Sequence, residues 1–157
     1  MPRVSEQYIQ RRRREILEAA WLCFARDGFH ATTMDDVIEA AGVSPSVVYR
    51  WFRGKDELIS ATVSEVLQGL VDVMDELLEL DPPPPLAEAV EQILTRTLTR
   101  FSNSDVDLTA LAVQAWTEAL RNPEINSLVA GPYRHLREGL AELVRRHQAT
   151  GALPPDL

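Results

Sequence analysis

Apolar residues recur at three- and four-residue intervals along most of the chain, the spacing that gathers them on one face of a helix. Ile9, Ile16, Leu17, Ala20, Trp21 and Phe24 predict a first helix over 10–26, closed by Gly28, while residues 1–8 carry little pattern and are expected to fray. Phe29 and His30 connect it to two short helices. A long stripe follows: Leu58, Ile59, Thr62, Val63, Val66, Leu67, Leu70, Met74, Leu77 and Leu78 predict a fourth helix over 56–80. At 1.5 Å per residue it spans roughly 36 Å, enough to join two domains. The prolines at 82–85 end it, because proline has no N–H to continue the ladder. A fifth helix over 86–102 places Val90, Ile93, Leu94, Thr97, Leu98 and Phe101 on its apolar side. A sixth over 107–121 uses Leu108, Leu111, Ala112, Ala115, Trp116 and Ala119. The seventh, over 123–149, carries Ile125, Leu128, Val129, Leu136, Leu140, Leu143 and Val144, with Gly131 and Pro132 expected to kink or split it. The expected fold is all-α.

The stretch from Thr33 to Lys55 is the most informative. Thr33 is placed to cap a short helix, with Asp36 three residues on as its capping-box partner. Val37, Ile38, Ala40 and Ala41 form that helix's apolar side, and Gly42 supplies the left-handed residue that ends it. Val43 plugs the turn, Ser44 caps the next helix, and Pro45 takes its first position. Val48 and Phe52, four apart, are expected to pack inward, which leaves Ser46, Val47, Tyr49, Arg50 and Trp51 for other faces. Two helices joined by a glycine turn, the second with an outward polar and aromatic surface, form a helix-turn-helix.

Thr33, Ala41, Gly42, Val43, Ser44, Tyr49, Phe52, Lys55 and Leu58 stand in register with the N-terminal signature of the TetR family of bacterial transcriptional regulators. Ile16, Leu17, Ala19, Ala20, Phe24 and Gly28 resemble that family's first helix. The resemblance is dense over 14–59 and looser beyond, although 116–124 is similar to a segment of some of its ligand-binding domains. It implies a three-helix DNA-binding domain over 1–56 and a helical ligand-binding and dimerisation bundle over 57–157. The family's body continues with two more helices that pair between subunits. The chain is expected to stop in the loop before them, so that Leu111, Trp116, Leu136, Leu140 and Leu143 on the sixth and seventh helices are expected to be partly exposed.

Charge sharpens the division. The net charge of −8 argues against nucleic-acid binding over the whole surface. Residues 1–56 hold nine Arg or Lys against eight Asp or Glu, and residues 57–157 hold seven against sixteen. A near-neutral head with clustered cations on an acidic body confines DNA to the head. Arg11 to Arg14 spread around the start of the first helix; one or two of them are expected to reach DNA. No apolar run approaches the roughly 20 residues needed to span a bilayer. The single cysteine, Cys23, excludes an intrachain disulfide, fits a cytoplasmic protein, and is expected to be a buried structural thiol.

The motif geometry lays the second short helix, about 45–53, in the major groove with its N-terminal end toward base edges. Ser44, Pro45, Ser46, Val47 and Arg50 are the candidates for reading sequence, with Arg50 either donating to a guanine edge or holding a phosphate. Thr33, Tyr49, Trp51 and Lys55 are the candidates for phosphates, and the resemblance points most directly to Tyr49 and Lys55. Trp51 alternatively packs under the fourth helix.

The resemblance further implies a homodimer on a palindromic double-stranded DNA operator, released by a small-molecule effector. Met74, Phe101, Trp116 and Tyr133 are candidate pocket residues, each with core packing as the alternative. His30, His135 and His147 are far apart in sequence and no metal-ligand cluster stands out, so no metal or cofactor is expected. No nucleophile–base arrangement or phosphate loop points to an enzyme. The competing reading is a helical interaction module whose helix-turn-helix no longer binds DNA.

Overall fold

A computed structural model describes residues 6–99 and 108–156, and these form seven helices without a strand. The expected end of the fifth helix, the expected start of the sixth, and Phe101 lie outside the described residues.

Helix α1 (Glu6–Ala31) begins four residues earlier than the apolar stripe predicts. Its first turn is held by side chains: the Arg11 and Arg12 guanidinium groups lie 5.6 and 5.8 Å from the Tyr8 ring centre, at the i, i+3 and i, i+4 spacings that meet on a helix. Ile16, Leu17, Ala20, Trp21 and Phe24 are buried as the pattern predicts. Gly28 leaves helical geometry at φ 88 and ψ 161, a conformation natural only to glycine, and one further turn follows it.

Helices α2 (Met34–Ala41) and α3 (Pro45–Trp51) form the glycine-linked pair. The capping box is complete: the Asp36 N–H donates to the Thr33 hydroxyl, and the Thr33 N–H donates to the Asp36 carboxylate at 2.7 Å. Gly42 sits at φ 62, ψ 31, and its N–H donates to the Glu39 carbonyl, ending α2 in the left-handed turn. Val48 and Phe52 are fully buried against α1 and α2 side chains in one cluster with Phe24 and Val37. Ser44 departs from expectation. It occupies the cap position, but its side chain makes no capping bond, because the Val47 N–H donates instead to the Ser44 backbone carbonyl at 3.0 Å.

Helix α4 (Lys55–Glu79) contributes to both buried clusters, with Leu58, Ile59, Thr62, Val63, Leu67, Met74 and Leu77 buried along it. Helix α5 (Leu86–Thr99) turns Ala89 and Ile93 inward, so Val90 and Leu94, expected on the apolar side, are exposed. Helix α6 (Leu108–Ala119) packs against α1, α4 and α7. Helix α7 (Pro123–Ala149) is continuous through Gly131 and Pro132, so of the expected kink or split the split does not occur. Gly131 has no Cβ to clash with the proline ring, and both halves of α7 are anchored, by Ile125 and Val129 on one side and by Gly139 and Leu143 on the other.

The side chains form two buried clusters. One joins α1–α3 to the start of α4, to Leu111 and Ala119 of α6, and to Ile125 and Val129 of α7. The other sits at the far end around Val73, Met74, Leu77, Ala89, Ile93 and Leu143. The expected partly exposed face is corrected at two positions, Leu111 and Leu143, which are core residues. Leu136 and Leu140 are partly exposed at the edge of the far cluster, and Trp116 is exposed at 48%, as expected. The reason is helical phase: 111, 115 and 119 face the neighbours of α6, which leaves Val113 and Leu120 outside.

Candidate nucleic-acid interface

The residues predicted to meet DNA divide between exposed positions on α3 and others that are half-buried or already hydrogen-bonded. Pro45, Ser46, Tyr49 and Arg50 are exposed on α3, opposite buried Val48. The Ser44 and Ser46 hydroxyls lie 3.1 Å apart at the start of that helix, exposed and free of the capping role. Val47 and Trp51 are half-buried, with part of each side chain packed on the head's core. Arg50 has no ion pair among the described residues, so its charge faces solvent.

Two predicted phosphate ligands are already engaged. The Thr33 hydroxyl donates to Asp36 at 2.6 Å and the Thr33 N–H donates to the same carboxylate, so its donors build the start of α2 beside a negative charge. That contact and the backbone hydrogen bond hold the Asp36 carboxyl below its ordinary value. Lys55 donates through Nζ to the His30 carbonyl at 2.9 Å, which pins the start of α4 to the connection between α1 and α2. An ammonium has three donors, so this bond leaves two for a phosphate.

The four consecutive arginines separate by role. Arg14 pairs with Glu18 and, at 2.5 Å, with Glu65 of α4, and its guanidinium stacks 5.0 Å from the Trp21 ring centre. Arg13 lies over the Phe52 ring at 5.3 Å. Arg13 thus braces the head against its own core, and Arg14 also ties it to α4 of the body. Arg12 instead lines a groove of about 360 Å³ with Tyr8, Ile9, Val47, Arg50 and Trp51. Tyr8 was missed as a candidate because it precedes the recognisable stripe; its i, i+4 spacing to Arg12 was the available signal.

Trp116 and Tyr133 come together in the body: the Trp116 indole N–H donates to the Tyr133 hydroxyl at 2.9 Å and the ring centres are 4.7 Å apart. They close an apolar cavity between α4, α6 and α7, further lined by Phe29, Thr62, Val63, Leu67, Leu111 and Val129. Its free space is about 30 Å³, roughly the share of one water molecule. Met74 lies elsewhere, fully buried in the far cluster against Gly139. Phe29 and Thr62 are lining residues that the sequence assigned to a connection and to a helix stripe.

An exposed helix on a glycine turn, braced by a third helix and flanked by cations, defines a helix-turn-helix DNA-binding protein. Residues 16–62 match the family model described as bacterial regulatory proteins, tetR family. The chain is 27% identical over 149 residues to the HTH-type transcriptional regulator UidR of Escherichia coli strain K12, covering 92% of this chain and 70% of that protein. It is 28% identical over 140 residues to the HTH-type transcriptional regulator BetI of Rhizobium meliloti, covering 89% and 66%. Its fold is similar to the solved structure of Salmonella enterica GusR, with a TM-score of 0.74 and 28% identity over 99% of this chain and 77% of that one. Residues 16–62 are thus the TetR-family DNA-binding domain, and the chain as a whole is similar to bacterial transcriptional regulators. These relatives are regulators rather than enzymes. No described helix is long and apolar enough to cross a membrane.

Proposed function

We propose that the protein is a repressor that holds a palindromic operator as a homodimer in the cytoplasm and releases it when a small molecule enters the body. Residues 1–56 act as the DNA-reading head and residues 57–157 as the effector-binding body. The observation that carries the reading is α3: Ser46, Tyr49 and Arg50 are exposed on one side while Val48 is fixed in the core on the other. A rigid helix with free polar side chains fits the major groove. Ser44, Pro45, Ser46, Val47 and Arg50 read bases; Tyr49, Trp51, Lys55 and Thr33 hold phosphates, Thr33 only by giving up a bond to Asp36.

The effector site is the cavity under Trp116 and Tyr133. At about 30 Å³ it lies far below the ~300 Å³ of an ordinary small-molecule pocket, so an effector must separate the walls. That requirement links binding to movement of α6. Selection of bound sequences from a random duplex pool tests the reading. Recovery of a palindrome supports it, and equal retention of all duplexes refutes it.

A further inference from the structure

The break in α1 at Gly28 is closed by a residue 86 positions away. At ψ 161 the chain leaves the helix, so the hydrogen-bond ladder cannot run unbroken across Gly28. The Phe24 carbonyl before the break accepts from Gln114 Nε2 at 2.9 Å, and the Phe29 N–H after it donates to Gln114 Oε1 at 2.9 Å. One amide on α6 thus pairs with both flanks of the gap. A glutamine is suited to this because its amide carries a donor and an acceptor on one carbon. One turn further along α6, Glu118 meets His30 at 3.1 Å, and the His30 carbonyl accepts from Lys55. Thr32, buried, fastens its hydroxyl to the Gly28 carbonyl at 2.8 Å, and Thr33 then starts α2.

We propose that Gln114 is the positioning residue that fixes the DNA-reading head on the body and thereby sets the half-site spacing the protein accepts. The proposal rests on the two-headed reading above. The head leaves the body through this segment and through α4. The apolar cluster shared with Leu111, Ala119, Ile125 and Val129 holds the head to the body but is not directional; the Gln114 amide adds a directional link that fixes Phe24 and Phe29 against α6. The same helix supplies Ala112, Ala115 and Trp116 to the cavity while Phe29 forms the facing wall. Gln114 therefore spans the two walls an effector would separate. Its bonds act on head placement, not on the base-reading surface, which lies on α3.

The test compares the wild-type protein with Gln114→Leu, close in volume but unable to hydrogen-bond, and with Gln114→Glu, which retains the acceptor for Phe29 N–H and loses the donor to Phe24. The probes are duplexes carrying the selected half-site once, or twice with the spacer varied one base pair at a time. Gln114→Leu is expected to lose about tenfold on the preferred full site, the scale of one or two lost buried hydrogen bonds, and to accept additional spacers. Its half-site affinity stays within about twofold, because the reading surface is remote. Gln114→Glu is expected to fall between the two. An unchanged spacer profile in Gln114→Leu overturns the proposal, and so does a parallel loss on half and full sites, which marks a role in folding alone. If Gln114→Leu does not fold, a wild-type spacer profile in Gln114→Glu overturns it. A wild type that binds no duplex above background defeats the regulatory reading itself, which is distinguishable from all of these.

Discussion

Lys55 at the start of α4 donates to the backbone carbonyl of His30, across 25 residues of sequence, so one side chain links the long helix to the segment entering α2. Its ammonium keeps two further donors. Replacing Lys55 with alanine is expected to weaken binding to all duplexes alike and to make the dependence of log affinity on log salt shallower by about one. Titrations at four salt concentrations on operator and scrambled duplexes measure both.

Arg50 is exposed on α3 without an ion pair among the described residues. Arg50→Ala is expected to cost about 1–3 kcal/mol on the preferred site and to relax the choice at one base position. Comparing sequence profiles of the two proteins checks it. Superimposable profiles would assign Arg50 to a phosphate.

Gly42 holds φ 62 with open space where a Cβ would lie, so substitution there is limited by backbone conformation and not by collision. Asparagine tolerates this region and a β-branched residue does not. Gly42→Val is expected to abolish operator binding at a cost of about 1–3 kcal/mol in the turn, while Gly42→Asn retains it. Operator binding alongside circular dichroism separates loss of the turn from loss of the fold.

Gly139 of α7 crosses α4 so closely that an added Cβ would lie 2.3 Å from Met74 Sδ and 2.5 Å from its Cγ. Met74 is fully buried, so its side chain has no solvent to move into. Gly139→Ala is expected to destabilise the protein by about 1–3 kcal/mol, and Met74→Val is expected to recover part of that loss when combined with it. Denaturant unfolding of the four proteins in the cycle gives the coupling.

Asp36 is held below its ordinary pKa, first by the Thr33 hydroxyl and then by the Thr33 backbone N–H. A carboxylate depressed by folding contributes stability above its unfolded pKa and loses it as pH falls through the folded value. The difference in Tm between wild type and Asp36→Asn is therefore expected to be constant near neutrality and to shrink below about pH 4. A difference that persists undiminished into strong acid would remove the charged form of Asp36 from the cap.

Local chemistry determined the head from sequence alone. Thr33 with Asp36, Gly42, and Pro45 act within a few residues of themselves, so cap, turn and first helical position are readable before any fold is known. The bounds of α4 were legible within one residue for the same reason: a long stripe between a turn and four prolines admits little else. Only tertiary structure decided which of several apolar residues on one helix faces inward. Leu111 and Leu120 are both leucines of the sixth helix region, yet one is buried and the other is 83% exposed, because the position of α1, α4 and α7 sets the phase. Tertiary structure also paired Gln114 with the break at Gly28. A lone glutamine on a helix carries no local signal; its role exists because α6 passes the break in α1, where the Phe24 carbonyl and the Phe29 N–H both come within its reach.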